Sequence, residues 1–247
     1  MRNAERNAPV LLESSMATIE EDVISSEGTL SAALPFYTEA PTDSWRYQYV
    51  KRTIDLFCAI VLIIVFAVPG LLIAAAIRLT SKGPIFYREW RIGRDGRLFR
   101  IWKFRSMYLH SAQRARIAEE HAESNVLEWR MRKHLRDPRV TPIGRVIRSW
   151  SLDEIPQLFN VIRGEMSFIG PRPIVEAETR FYGDLLQFYL AAVPGLSGLW
   201  QVSGRSHVDY DKRARLDASY VQSWSLSADL MIFLRTIPAV LGRVGAH

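Results

Sequence analysis

The chain has 247 residues, 48% hydrophobic and 23% charged, which excludes wholesale disorder and collagen-like repeats. A mean hydropathy of -0.02 is too polar for a multi-span membrane protein. Cys58 is the only cysteine, so intramolecular disulfides and thiolate-rich zinc sites are out, and the net charge of +6 points to an anionic partner: nucleic acid, phospholipid or a phosphorylated small molecule.

Residues 1–44 carry two basic against eight acidic side chains and show no sustained period. They are predicted to be a flexible acidic extension. They lack the basic start and apolar core of a signal peptide.

Lys51-Arg52 introduces an apolar run over residues 54–77 whose one charge is Asp55. As a straight helix it reaches about 36 Å, enough to cross a hydrocarbon core, so a single spanning helix is the plain expectation. Two features oppose it. Pro69-Gly70 predicts a kink within the run. Both flanks are basic, with Lys51 and Arg52 before and Arg78, Lys82, Arg88, Arg91 and Arg94 after. If both flanks stay in the cytoplasm, residues 45–80 form a re-entrant helix that bends at Pro69 and leaves by the face it entered.

Residues 78–106 hold nine basic and two acidic side chains, interleaved with Phe86, Tyr87, Trp90, Phe99, Trp102 and Phe104. That mixture suits a headgroup surface or nucleic acid, and the adjoining apolar segment favours lipid. Gly83-Pro84 and Arg94-Asp-Gly96 mark turns, so part of the stretch is expected as a short hairpin. Residues 111–136 read as a polar helix with i,i+4 ion pairs.

The stretch from Asp137 to Arg172 holds the candidate chemistry. Ser151-Leu-Asp-Glu154 fits a capping box, with Ser151 as N-cap and Glu154 at N3. It places Asp153 in the first turn of a helix, where unpaired amides and the dipole keep a carboxylate ionised. Such a carboxylate can attack phosphorus. Neighbours on a helix diverge by about 100°, so Asp153 and Glu154 are expected to differ in role, one attacking while the other binds a hard cation or handles a proton. Pro156 makes an irregular helix start. Arg148 and Arg172, the latter stiffened by the prolines of Gly170-Pro-Arg-Pro173, are candidate oxyanion clamps.

Pro194-Gly-Leu-Ser-Gly-Leu-Trp-Gln-Val-Ser-Gly-Arg205 reads as a turn-rich loop that could hold phosphate, without a Walker or Rossmann pattern. Tyr210 to Trp224 is predicted helical, with Arg213, Asp217 and Tyr220 along one face. Asp229 to Leu241 is a mostly apolar segment containing Pro238, either a core helix or one lying on the bilayer. The histidines have no metal-binding spacing.

Taken in order, Lys51-Arg-x-x-Asp55, the Pro-broken apolar segment, Lys103-Phe-Arg-Ser-Met107, Asp137-Pro-Arg-Val-Thr-Pro-x-Gly144, Ser151-Leu-Asp-Glu-Ile-Pro-Gln157, Gly164-Glu-Met-Ser167, Gly170-Pro-Arg-Pro173 and the run ending at Arg205 resemble the bacterial sugar transferases, monotopic polyprenyl-phosphate glycosyl-1-phosphate transferases. The resemblance covers about residues 45–241. The acidic leader and the C-terminal stretch are similar to the ExoY type, which starts exopolysaccharide repeat units, typically with galactose.

The resemblance implies a mostly α fold with little β: the 1–44 extension, the 45–80 re-entrant helix, and a cytoplasmic-face catalytic domain over 81–247 with amphipathic interfacial helices. It implies that Asp153 attacks the sugar-bearing phosphorus of a UDP-sugar, releasing UMP, and that undecaprenyl phosphate takes the phosphosugar from the aspartyl intermediate. Glu154 is then the Mg²⁺ ligand, Lys103, Arg105, Arg148 and Arg172 contact substrate phosphates, and Asp217 and Arg205 support them. The expected partners are UDP-galactose, undecaprenyl phosphate and the lipids of the bacterial inner membrane. Nucleic acid is not among them, and a homodimer is one option for an open oligomeric state. Family members often have Ser before the helix-breaking Pro, where this chain has Val68. The competing readings are the same chemistry with glucose, a basic membrane-anchored binding module without catalysis, and a metal-dependent phosphohydrolase using the same Asp-Glu pair.

Overall fold

A computed structural model describes residues 41–108, 139–203 and 209–241. Residues 1–40 of the acidic extension, the polar helix expected over 111–136, Arg205 and all five histidines lie outside the described residues.

A π-type turn, Arg46–Lys51, runs into the long helix α1, Arg52–Thr80, which is assigned continuously through Pro69. The helix is apolar on nearly every side, as expected of a segment that meets lipid. One stripe is covered: Asp55, Ala59, Ile73 and Ile77 are buried, while Ile64, Val65, Val68, Leu71 and Leu72 are exposed. The buried positions recur on one face because the helix repeats every 3.6 residues.

Strands β1 (Phe86–Ile92) and β2 (Leu98–Phe104) form the expected hairpin, in the register Phe86↔Phe104 through Ile92↔Leu98. Asp95 and Gly96 take positive φ in its turn. Two of the interleaved cations pair with aromatics across the hairpin. Arg88 lies 3.7 Å over its cross-strand partner Trp102, and Arg100 lies 4.5 Å over its partner Trp90. Each such pair is worth about 0.5–1 kcal/mol at an exposed site.

Helix α2 (Pro142–Ser149) is capped by Thr141, whose hydroxyl accepts from the Gly144 amide. A 3₁₀ stretch, Leu152–Gln157, follows and continues into α3, Leu158–Arg163. After β3 (Ser167–Ile169) come short 3₁₀ turns, α4 (Leu186–Leu190), β4 (Gly195–Ser197), α5 (Leu199–Val202), α6 (Tyr210–Gln222) and α7 (Leu226–Leu241). Strands β3 and β4 pair in parallel, Ser167↔Gly195 and Ile169↔Ser197. A Cβ on Gly195 would stand 2.2 Å from the Gly170 amide nitrogen, so this glycine lets two backbones meet.

Four apolar clusters organise the core. The largest joins Tyr47, Ile169, Phe188, Ala218, Val221, Trp224 and Ile232, so the lead-in to α1 packs among α4, α6 and α7. A second sets Ala59 against Phe99, Ile101, Val161 and Met166. A third sets Ile73 and Ile77 against Phe104 and Ile147. Helices dominate and sheet is sparse, as the sequence predicts.

Candidate active site

The capping box expected at Ser151 does not form. Ser151 is left-handed, at φ 55, and makes no side-chain cap. Asp153 therefore lies in a 3₁₀ stretch and not in the first turn of an α-helix. The cause is local: Pro156 sits inside the stretch, and the Ser151 amide donates back to the Arg148 carbonyl at 3.1 Å, closing α2. The Glu154 side chain turns to β2, where the Lys103 ammonium meets its Oε1 at 2.7 Å.

That pair lies in a cleft lined also by Arg91, Gln157, Arg172 and Gln201. Arg91 is engaged by Glu89, with Glu178 3.9 Å away. Arg172 has its guanidinium 5.8 Å from the Trp200 ring centre. The cleft thus gathers three cations around one carboxylate, an arrangement that attracts polyanions.

The structure brings Glu154, Lys103 and Arg172 together, with Asp153 adjoining in the chain. Arg148 is half-buried in the last turn of α2 and is not on the cleft wall. Arg105 is placed elsewhere: it is 5% exposed, and it donates to Ser81 O and Oγ, both at 2.8 Å, where α1 ends. Burial and the neighbouring Arg78 hold its pKa below the ordinary arginine value.

Asp217 is reached from Arg172. It is 1% exposed, takes a hydrogen bond from the Tyr182 hydroxyl at 2.8 Å, and has no hydrogen-bond partner at Oδ1. Burial pushes its carboxyl up to about 8, against the Tyr182 hydrogen bond and the charges of Arg172 and Arg213.

Reading the sequence missed Asn160, which is fully buried and holds the cleft in register. Its side chain donates to the Arg100 carbonyl at 2.8 Å and accepts from the Trp102 amide at 3.0 Å, so it pairs with the edge of β2 that β1 leaves open. Gln157, Trp200 and Gln201 were visible only as members of motifs, and Arg91 only as a basic flank.

A second cavity, of about 300 Å³, opens beside the start of α1 among Tyr47, Lys51, Arg52, Asp55 and Arg94. Its cations are spent on the fold. Lys51 pairs with Asp229 at 2.7 Å, Arg94 with Asp43 at 2.9 Å, and Arg52 caps the C-terminus of α3 through the Val161 and Ile162 carbonyls.

Among the described residues no group of three or more His, Cys, Asp or Glu assembles a metal centre. Mg²⁺ commonly binds one or two carboxylates and completes its shell with water and substrate phosphate. Glu154 offers one such carboxylate on the cleft wall.

Fold and site together define a mostly helical protein with one long, largely exposed apolar helix and a cation-lined cleft. The bacterial sugar transferase family matches residues 46–243, and the chain belongs to it. It is an enzyme of that family. It is 45% identical over 225 residues to the exopolysaccharide production protein ExoY of Rhizobium meliloti, covering 89% of this chain and 98% of the relative. It is 45% identical over 202 residues to the undecaprenyl-phosphate galactose phosphotransferase of Salmonella typhimurium, covering 81% of this chain and 42% of the relative. To the UDP-glucose:undecaprenyl-phosphate glucose-1-phosphate transferase of Caulobacter vibrioides it is 39% identical over 212 residues, 80% of this chain and 72% of the relative.

Proposed function

We propose that the protein transfers galactose-1-phosphate from UDP-galactose to undecaprenyl phosphate and releases UMP, the first membrane step of exopolysaccharide synthesis. The observation that carries this reading is the Glu154–Lys103 pair at 2.7 Å, beside Asp153 and facing Arg172. The galactose assignment rests on the galactose-named relative being more similar than the glucose-named one.

In the first half-reaction an Asp153 carboxylate oxygen bonds to the sugar-bearing phosphorus, and the bond to the UMP oxygen breaks. UMP leaves with that electron pair. In the second, an oxygen of undecaprenyl phosphate attacks the same phosphorus and the Asp153 carboxylate is restored. Lys103 and Arg172 hold phosphate oxygens. Arg105 ties the end of α1 to β2 through Ser81. Asp217 supports the Arg172 side through its hydrogen bond from Tyr182, and Arg205 extends the anion-binding side. Glu154 would hold Mg²⁺, which neutralises diphosphate charge when bound.

A re-entrant seat for α1 is supported by its contacts. Its start is tied to the domain by Lys51–Asp229 and by the Phe168 amide on Asp55, and its end by Arg105 on Ser81. Strand β2 touches both halves, through Phe99 near Ala59 and Phe104 near Ile77. A spanning α1 would draw this strand, with Arg100 and Lys103, into the hydrocarbon, at a cost of several kcal/mol. Leu230, Phe233, Leu234 and Ile237 form an exposed apolar stripe on α7, suited to the bilayer surface on the cytoplasmic side.

The test is a half-reaction. The full chain is incubated with Mg²⁺ and UDP-galactose labelled in the sugar, without acceptor. Label is expected to remain on the denatured protein and to be lost in Asp153→Asn with the fold intact. Equal labelling of that variant would refute the nucleophile, and preference for UDP-glucose would reassign the sugar.

A further inference from the structure

The two faces of the β1–β2 hairpin have different surroundings. Residues opposite one another in an antiparallel pair share a face, and the faces alternate along each strand. Arg91, Ile101 and Lys103 belong to one face and line the cleft. Arg88, Trp90, Leu98, Arg100 and Trp102 belong to the other, which takes no part in the cleft.

On this outer face Arg88, Trp90, Leu98 and Arg100 are exposed. Helix α3 extends it with Phe159 and Arg163, both exposed, at 6.5 Å and 5.7 Å from the Trp102 ring centre. Among the described residues none of Arg88, Arg100 and Arg163 forms an ion pair. The acids of the hairpin do not offset them: Glu89 lies on the cleft face with Arg91, and Asp95 lies in the turn beside Arg94. The indoles of Trp102 and Trp90 order these guanidiniums without neutralising them.

Three positive charges set among exposed rings match a layer that offers phosphate and apolar chain at one depth, the headgroup region of an anionic leaflet. A polynucleotide would match the charges as well, and continuity with α1 decides for lipid. Phe86 stacks on Phe104 at 5.5 Å, and Phe104 packs on Ile73 and Ile77. Phe99, at the other end of β2, packs with Ala59, so the strand runs alongside the helix whose far side is apolar and exposed.

We propose that the outer face of the hairpin rests on anionic phospholipid headgroups of the leaflet that α1 enters. The inference rests on the re-entrant seat argued above and names the lipid class that holds the domain there. Because the same two strands wall the cleft with their inner face, headgroup contact outside sets the height of the cleft over the bilayer.

The experiment uses the full chain in lipid nanodiscs, in a Cys58→Ser background, with a nitroxide on Leu98→Cys. Nickel-chelating lipids carry the relaxing ion at headgroup level, and a soluble nickel chelate carries it in water. In discs containing phosphatidylglycerol, relaxation by the nickel lipid is expected to exceed that in discs of phosphatidylcholine on the order of threefold. Arg88→Gln, Arg100→Gln and Arg163→Gln combined should remove the difference, and the three Lys replacements combined should keep it. An equal loss in both combinations marks packing and not charge, and overturns the proposal. So does a nitroxide at position 98 that only the soluble chelate relaxes. Loss of the nickel-lipid effect on adding single-stranded RNA at physiological salt gives the face to nucleic acid. A second nitroxide, on Val68→Cys in the exposed midsection of α1, reads the seat itself through collision with oxygen dissolved in the hydrocarbon. If position 68 is immersed, a failure at position 98 counts against the hairpin face alone. If it is not, the seat fails and this proposal falls with it.

Discussion

At Asp217, the cost of removing a carboxylate from water exceeds what its neighbours return. Tyr182 donates one hydrogen bond and two arginines lie within electrostatic reach, yet burial prevails and the pKa rises from 3.8 to about 8. The sign for stability follows. Between pH 3.8 and about 8 the unfolded chain has released the proton and the folded chain has kept it, so stability falls as pH rises through that window and levels off above it. Asp217→Asn keeps an acceptor for Tyr182 and removes the titration. Unfolding midpoints measured at pH 5 and pH 8 should drop in the wild type and drop less in the variant. Matching drops would mean that Asp217 is ionised in the folded protein.

The Glu154–Lys103 pair is aligned by a pairing of elements that a side chain completes. Strand β2 has β1 on one edge and Asn160, from α3, on the other. Because the Leu152–Gln157 stretch leads directly into α3, this amide sets Lys103 opposite Glu154. Asn160→Ala leaves the Trp102 amide and the Arg100 carbonyl unpaired, at a cost of about 1–3 kcal/mol. Chemical denaturation should show that loss, with kcat falling at the same time. A stable but inactive variant would mean that Asn160 acts on substrate. Elements with their own period were legible in the sequence: the apolar α1, the turn of the β1–β2 hairpin, and helices α6 and α7. The candidate cleft was legible as residue types, Glu154 with Lys103 and Arg172. Its geometry was not. Four letters fit a capping box equally well whether or not Ser151 is left-handed, and the three-residue strands β3 and β4 pair across a long separation with no periodicity to announce them. Asn160 looked like any polar residue in a short helix, because its partners are backbone groups of a distant strand.

For the whole molecule the question is how one apolar helix can serve a domain that contacts it along its length. Lipid favours burial of the exposed Ile64, Val65, Val68, Leu71 and Leu72, whereas the covered stripe from Asp55 to Ile77 packs on a domain that carries cations needing water nearby. Arg88, Arg100 and Lys103 ride on the same hairpin that touches α1. A spanning position satisfies the first demand and violates the second. A shallow seat, with the domain against the headgroups and the α1 midsection dipping into one leaflet, satisfies both. The chain's single cysteine makes this testable by labelling. In a Cys58→Ser background, Trp45→Cys and Lys82→Cys place thiols at exposed positions on either side of α1. Intact spheroplasts treated with a membrane-impermeant maleimide should label neither, and permeabilised spheroplasts should label both. Labelling of position 45 alone from outside would put the two ends of α1 on opposite faces. The contacts of β2 with both Ala59 and Ile77 would then have to break in the membrane.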